Sequence, residues 1–124
     1  MDAQLKNEIL ETIKNFNVLL HVRLNLHEDL PEYLQNYEIH DGKATFTMPG
    51  EFEVDLIIAD EDPSSQFWFV DFRLLFSSIG ELSSSNHTSV GARVDEALGS
   101  RGLVGCFEVL HEFCLTLKIG RAHV

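Results

Sequence analysis

The dipeptide Asp41-Gly42 lies between two short alternating runs, Tyr37-Glu38-Ile39-His40 and Lys43-Ala44-Thr45-Phe46-Thr47-Met48. A two-residue Asp-Gly link is the signature of a tight β-hairpin, because both central residues must take positive φ. This feature constrains the chain most, since it fixes a register as well as two strands. Opposed residues of an antiparallel pair share a face. A two-residue loop therefore sets His40 against Lys43, Ile39 against Ala44 and Tyr37 against Phe46, which pairs apolar with apolar.

The same parity test sets the next turn. Beyond Pro49-Gly50, Phe52, Val54, Leu56 and Ile58 alternate with Glu53 and Asp55. A two-residue loop would bring Glu53 opposite Phe46 and place a charge on the core face. The three-residue loop Pro49-Gly50-Glu51 instead opposes Met48 to Phe52 and Phe46 to Val54, so an odd-length loop is predicted. A Pro- and Ser-containing loop over 60–65 follows. The run 67–76 comes next, with Trp68, Val70, Phe72, Leu74 and Phe76 at its even positions. Of these apolar residues, Trp68 and Phe72 are predicted to join Phe46 and Val54 in the core. The odd face is mixed, as expected for a strand that is central or covered on its second side. Arg73 is expected to meet Asp55 or Glu53, whichever the register brings near.

Helical patterns flank these strands. Leu5, Ile9, Ile13, Phe16, Leu20 and Leu24 recur at spacings of three and four, which makes an amphipathic helix. Val18, Leu19 and Val22 widen its apolar face, so its second half is expected to bury on two sides. Pro31 punctuates a connector over 24–36. Residues 77–88, with Gly80 and Ser83-Ser84-Ser85, read as a polar linker. Val90, Val94, Ala97 and Leu98 suggest a short helix opened by Thr88 or Ser89 and closed by Gly99. Leu103, Cys106, Phe107, Leu110, Phe113, Cys114 and Leu117 form a broad stripe on a last helix, which is expected to need cover from more than one sheet.

The predicted class is α+β. An amphipathic helix occupies 1–26, and an antiparallel meander of three to four strands occupies 37–76. The polar linker 77–88 leads to two C-terminal helices within 89–118, packing on the sheet or on partners. This order resembles RWD and ubiquitin-conjugating-like domains, a likeness of fold that says little about function.

Composition narrows the function classes. The 124 residues suit one domain, and twenty acids against nine Lys and Arg give a net charge of −11. That balance argues against direct nucleic-acid binding. No run of about 18 uncharged apolar residues suggests a membrane span, and the N-terminus has no charged-then-apolar leader. Cys106 and Cys114 are eight residues apart on a helical pattern, about 12 Å along the axis, too far for a disulfide. They are expected to be buried thiols in a reducing compartment.

Candidate chemistry is sparse. Asp60-Glu61-Asp62 could suggest a hard-cation loop, but the EF-hand spacing is absent, and a solvated acidic turn is expected. His111 near Cys114 is the only conceivable nucleophile–base pair, and a helix-borne Cys without electropositive surroundings is not activated. Asn86-His87-Thr88 matches a glycosylation triplet without a secretory route. Gly99, Gly102 and Gly105 lack the phosphate-loop ending. No catalytic, cofactor-binding or metal residue is assigned, and no cofactor is expected. What remains is apolar surface in excess of what one small sheet can cover, the mark of an interaction module.

The run 37–62, with PGEFEVDL and IADED, continues through Gln66-Phe67-Trp68-Phe69-Val70-Asp71-Phe72-Arg73. Together with the later run from Gly102 to Phe113, it resembles subunit 14 of the Mediator complex of RNA polymerase II transcription. The resemblance covers 24–117. It implies a non-catalytic scaffold in the nucleus that joins head, middle and tail modules of a coactivator. The partners it implies are other Mediator subunits, with RNA polymerase II engaged indirectly. Family members are far longer, so these residues are expected to be a slice of the N-terminal half. The ending Ile119-Gly120-Arg121-Ala122-His123-Val124 translates a common sequencing-adapter sequence, ATC GGA AGA GCA CAC GTC, and is expected to be an artefactual tail. The alternatives are a stand-alone RWD-like adaptor and, from the Asp60–Asp62 acids, a small hydrolase that would require a metal.

Overall fold

The computed structural model describes residues 3–76 and 84–119, with side chains of the last helix described over 88–118. Helix α1 (Ala3–Val22) runs into a π-helical turn (Arg23–His27), and a single 3-10 turn (Glu32–Leu34) leads to the sheet. Strands β1 (Tyr37–His40), β2 (Lys43–Met48), β3 (Phe52–Ile58) and β4 (Phe67–Leu74) form a four-stranded antiparallel meander in sequence order. Helix α2 (Ser84–Ile119) follows. The predicted linker and tail lie largely outside the described residues, at 77–83 and 120–124.

Turn chemistry sets both predicted registers. Asp41 (φ 51°) and Gly42 (φ 77°) take the two positive φ values of a primed hairpin turn, and Tyr37 opposes Phe46 while His40 opposes Lys43. At the next turn the Glu51 N–H donates to Met48 O at 3.0 Å, with Gly50 at φ 77°. Phe46 accordingly faces Val54, and Met48 faces Phe52.

One core joins the helices to one face of the sheet. Leu20 and Leu24 from the N-terminal segment meet Phe46, Phe52, Val54, Leu56 and Phe72, together with Val94, Leu103 and Leu110 from α2. Since both helices enter the same cluster, the opposite face of the sheet is left without a helical cover among the described residues. The N–H of Gly42 donates to Asn17 Oδ1 at 2.7 Å, pinning α1 to the first hairpin.

Four expectations require correction. First, β4 does not present its even positions uniformly. Asp55 pairs with Asp71, whereas Leu56 pairs with Phe69, so the register slips by one residue around Val70. Such a bulge reverses the alternation. Phe67 and Phe72 are buried, while Trp68 and Val70 are 42% and 43% exposed on the outer face. Trp68 is not a core residue.

Second, the C-terminal helical stretch is continuous over Ser84–Ile119 apart from a kink, and that kink does not fall at the predicted Gly99. Its first residues, 84–88, fall where the sequence predicts a linker, and Gly99 does not end it. A kink falls at Gly102, whose φ of 70° and ψ of −152° lie outside the helical region. Only glycine occupies that region without strain. Gly102→Ala is therefore expected to cost about 1–3 kcal/mol, read as a lower urea midpoint than the parent chain.

Third, α1 is not buried on two sides. Residues 3–10 are all exposed, and Val18 and Val22 point to solvent. A 20-residue helix is about 30 Å long, longer than any strand beneath it. The stripe begun by Leu5 and Ile9 gains partial cover at Phe16 and Leu19, which pack against the core, and is fully buried at Leu20. Fourth, one sheet suffices for the main stripe of α2: Leu103, Cys106, Leu110 and Cys114 are buried within this chain, leaving Val104 and Leu115 outside.

Candidate interaction surface

Sequence-predicted chemistry resolves into structural roles. Asp60 Oδ1 accepts from Asp62 N–H and from the Ser65 hydroxyl, and Asp62 Oδ1 accepts from the backbone and hydroxyl of Ser64. The Ser64 bonds hold the Asp62 carboxyl below its ordinary pKa. These acids organise their own turn, and among the described residues no group of three or more His, Cys, Asp or Glu could hold a metal ion.

His111 and Cys114 both lean on Glu51 rather than forming a reactive pair. His111 Nδ1 lies 2.5 Å from Glu51 Oε1, and its ring stacks on Phe107. The Cys114 thiol donates to Glu51 O at 3.8 Å. Burial, with Glu51 nearby, pushes Cys114 up to about 11, and burial with Asp95 pushes Cys106 up to about 12. Both thiols thus stay protonated at neutral pH, which removes the nucleophilic form. Asn86-His87-Thr88 falls within α2, with the side chains of 86 and 87 outside the described residues, and Gly99, Gly102 and Gly105 lie on the same helix.

Two structural residues escaped the sequence analysis. Arg23, buried at the π-helical turn, donates Nε to Glu28 Oε2 at 2.8 Å and Nη2 to Ser65 O at 2.6 Å, while stacking over Phe67. It locks the end of α1 to the β3–β4 loop. Asp95 on α2 accepts the Phe69 N–H at 2.7 Å, and the Gln66 amide donates to Asp95 O at 3.2 Å. That clasp occupies the free edge of β4. An arginine in an apolar helix end was the available signal for the first; spacing carried none for the second.

The outer face of the sheet has a polar part and an apolar part. Arg73 grips Asp55 with two bonds of 3.0 Å and reaches Glu53 at 3.2 Å, so it meets both predicted partners. Thr45 donates to Asp55 Oδ1 at 2.6 Å. Burial raises the Asp55 pKa, but the hydrogen bonds from Arg73 and Thr45 and the Arg73 charge outweigh it, and the net shift is downward. A carboxyl whose pKa is lower folded than unfolded stabilises the fold above the unfolded value of about 4, and that stabilisation fades as pH falls through the folded value. Asp55→Asn is therefore expected to lower the urea midpoint at pH 7, and the gap to the parent should close as pH drops below about 4. Beside this network, Ile57 opposes Trp68, and both are exposed together with Val70.

Helix α1 supplies the other uncovered surface. Leu5, Ile9 and Leu10 are exposed near its start. On the side away from the core, Val18, Val22 and Leu26 recur every four residues, and Leu26 is 74% exposed. Clustered apolar exposure of this kind marks contact with another protein.

The fold defines a small α+β domain with its polar groups engaged in structure and apolar helix rows open to solvent. Its sequence places it among known ones: residues 2–60 match the family model described as "Med14: Mediator complex subunit MED14". A Mediator subunit 14 of Chaetomium globosum is 49% identical over 116 residues, covering 91% of this chain and 10% of that protein. Counterparts in Neurospora crassa and Pyricularia oryzae are 50% and 44% identical, covering 86% and 89% of this chain and 9% and 10% of theirs. The chain belongs to the MED14 family of Mediator subunits. It spans about a tenth of the length of the curated relatives it matches, corresponding to an N-terminal portion.

Proposed function

We propose that this segment is a non-catalytic scaffold piece of Mediator, acting in the nucleus in regulated RNA polymerase II transcription. Among the described residues, twenty buried hydrophobic side chains form one cluster. The segment also keeps apolar side chains open on α1, at Leu5, Ile9 and Val18, and on the π-helical turn that follows it, at Leu26. That pairing carries the proposal: a closed interior needs no partner to fold, and an uncovered apolar helix needs one to be hidden from water. Other Mediator subunits are the proposed occupants, and bridging between head, middle and tail modules is the proposed result. RNA polymerase II would be engaged indirectly, through the assembled complex.

No helix among the described residues is long and apolar enough to cross a membrane, and an acidic chain is a poor match for a phosphate backbone. The test is affinity purification of the tagged full-length subunit from nuclear extract. Recovery of head, middle and tail subunits together is expected. Recovery of a single unrelated partner would favour a stand-alone RWD-like adaptor instead.

A further inference from the structure

We propose that Asp41-Gly42 is a site of aspartate isomerisation, and that Asn17 on α1 restrains the reaction by holding the attacking nitrogen. This goes beyond the scaffold function and does not depend on it. In an Asp-Gly pair the backbone nitrogen of the glycine can attack the aspartyl Cγ, because glycine has no side chain to hinder the approach. The N–Cγ bond forms, the Cγ–OH bond of the carboxyl breaks, and the hydroxyl leaves as water with the amide proton. A water molecule then opens the five-membered imide. Cleavage of the new N–Cγ bond restores aspartate. Cleavage between that nitrogen and the Asp41 carbonyl carbon routes the main chain through Cγ instead, as isoaspartate. Mass is unchanged in either case.

The carboxyl is available and the nitrogen is not. The Asp41 side chain is 80% exposed, with its carboxylate 3.4 Å from His40 Nδ1. The Gly42 N–H, by contrast, donates to Asn17 Oδ1 at 2.7 Å. It lies outside the β1–β2 pairing, which closes at His40 and Lys43, so the bond to Asn17 is what fixes its direction. Attack requires the nitrogen to lose its proton and turn onto Cγ, and this hydrogen bond opposes both. Helix α1 sits close enough to keep the grip, since a side chain at Gly42 would begin 3.8 Å from Phe16 Cβ. Isoaspartate would add one main-chain atom to a two-residue turn whose positive φ values at Asp41 and Gly42 set the strand register. Isomerisation there would therefore loosen the hairpin from α1.

The test is incubation of the folded 124-residue chain at neutral pH and physiological temperature. Isoaspartate at position 41 is followed by electron-transfer fragmentation of the peptide that contains it. Asn17→Ala is expected to accumulate it roughly fivefold faster than the parent, the effect of one hydrogen bond on a barrier. Asn17→Asp, which keeps a side-chain oxygen at the site, should stay near the parent rate. Circular dichroism at the incubation temperature shows that folded chains are being compared. Hydrogen exchange of the Gly42 amide gives a reading on the parent alone, where protection is expected. An unprotected Gly42 amide in the parent, equal isomerisation in Asn17→Ala and parent, or the same acceleration in both Asn17 variants would overturn the proposal.

Discussion

Leu110→Ala is expected to destabilise the 124-residue chain by about 3–4 kcal/mol. Leu110 is fully buried on α2, in the cluster that joins both helices to the sheet. Truncation there loses the transfer free energy of the side chain and leaves a void that strands on one side and a long helix on the other cannot close. At this size the loss corresponds to a fall of about 10–15 °C in thermal midpoint. The contrast lies five residues further along. Leu115 is 44% exposed on the same helix, and Leu115→Ala should stay within about 0.5 kcal/mol. Urea denaturation of the two variants checks the orientation of α2, and equal costs would mean that the helix is rotated from the arrangement described.

The pair Val18→Glu and Leu26→Glu should have the opposite profile. Both side chains are exposed, at 60% and 74%, and neither belongs to the core cluster. Glutamate is at least as good a helix former as valine, so the thermal midpoint of the chain should move by no more than about 2 °C. Val22 is left alone because it also lines a small cleft against Asp60 and Glu61. In the full-length subunit, however, two charges would be driven into a surface proposed to be covered. Recovery of Mediator subunits with the variant is expected to drop about tenfold or more, the scale of losing central contacts. Unchanged recovery would remove this row of α1 from the interface.

The sheet was largely legible in the sequence, because its registers are dictated by local turn chemistry. Asp41-Gly42 and Pro49-Gly50 each leave only one pairing that keeps charge off the core face. The Arg73 partners followed from the same parity. What failed was a non-local effect. The bulge at Val70 has no turn residue to announce it, and an apolar run on both faces of β4 hid the change of phase from Phe67 and Phe69 to Phe72 and Leu74. The sequence predicts the helix break at Gly99 because a glycine after an apolar pattern reads as a stop, yet the unusual backbone belongs to Gly102. Surplus apolar content was visible in the composition of the helices. Its location was not, since the first turns of α1 look the same in sequence whether or not a sheet lies beneath them.

The most direct measurement is hydroxyl-radical footprinting of the isolated chain and of the full-length subunit within Mediator. Leu5, Ile9, Val18 and Leu26 are exposed in the chain alone and should label readily there, then become strongly protected in the complex. Leu20 and Leu110, already buried within the chain, should resist labelling in both. Equal labelling of these four residues in the two samples would contradict the central claim that neighbouring subunits cover α1 and the turn that follows it.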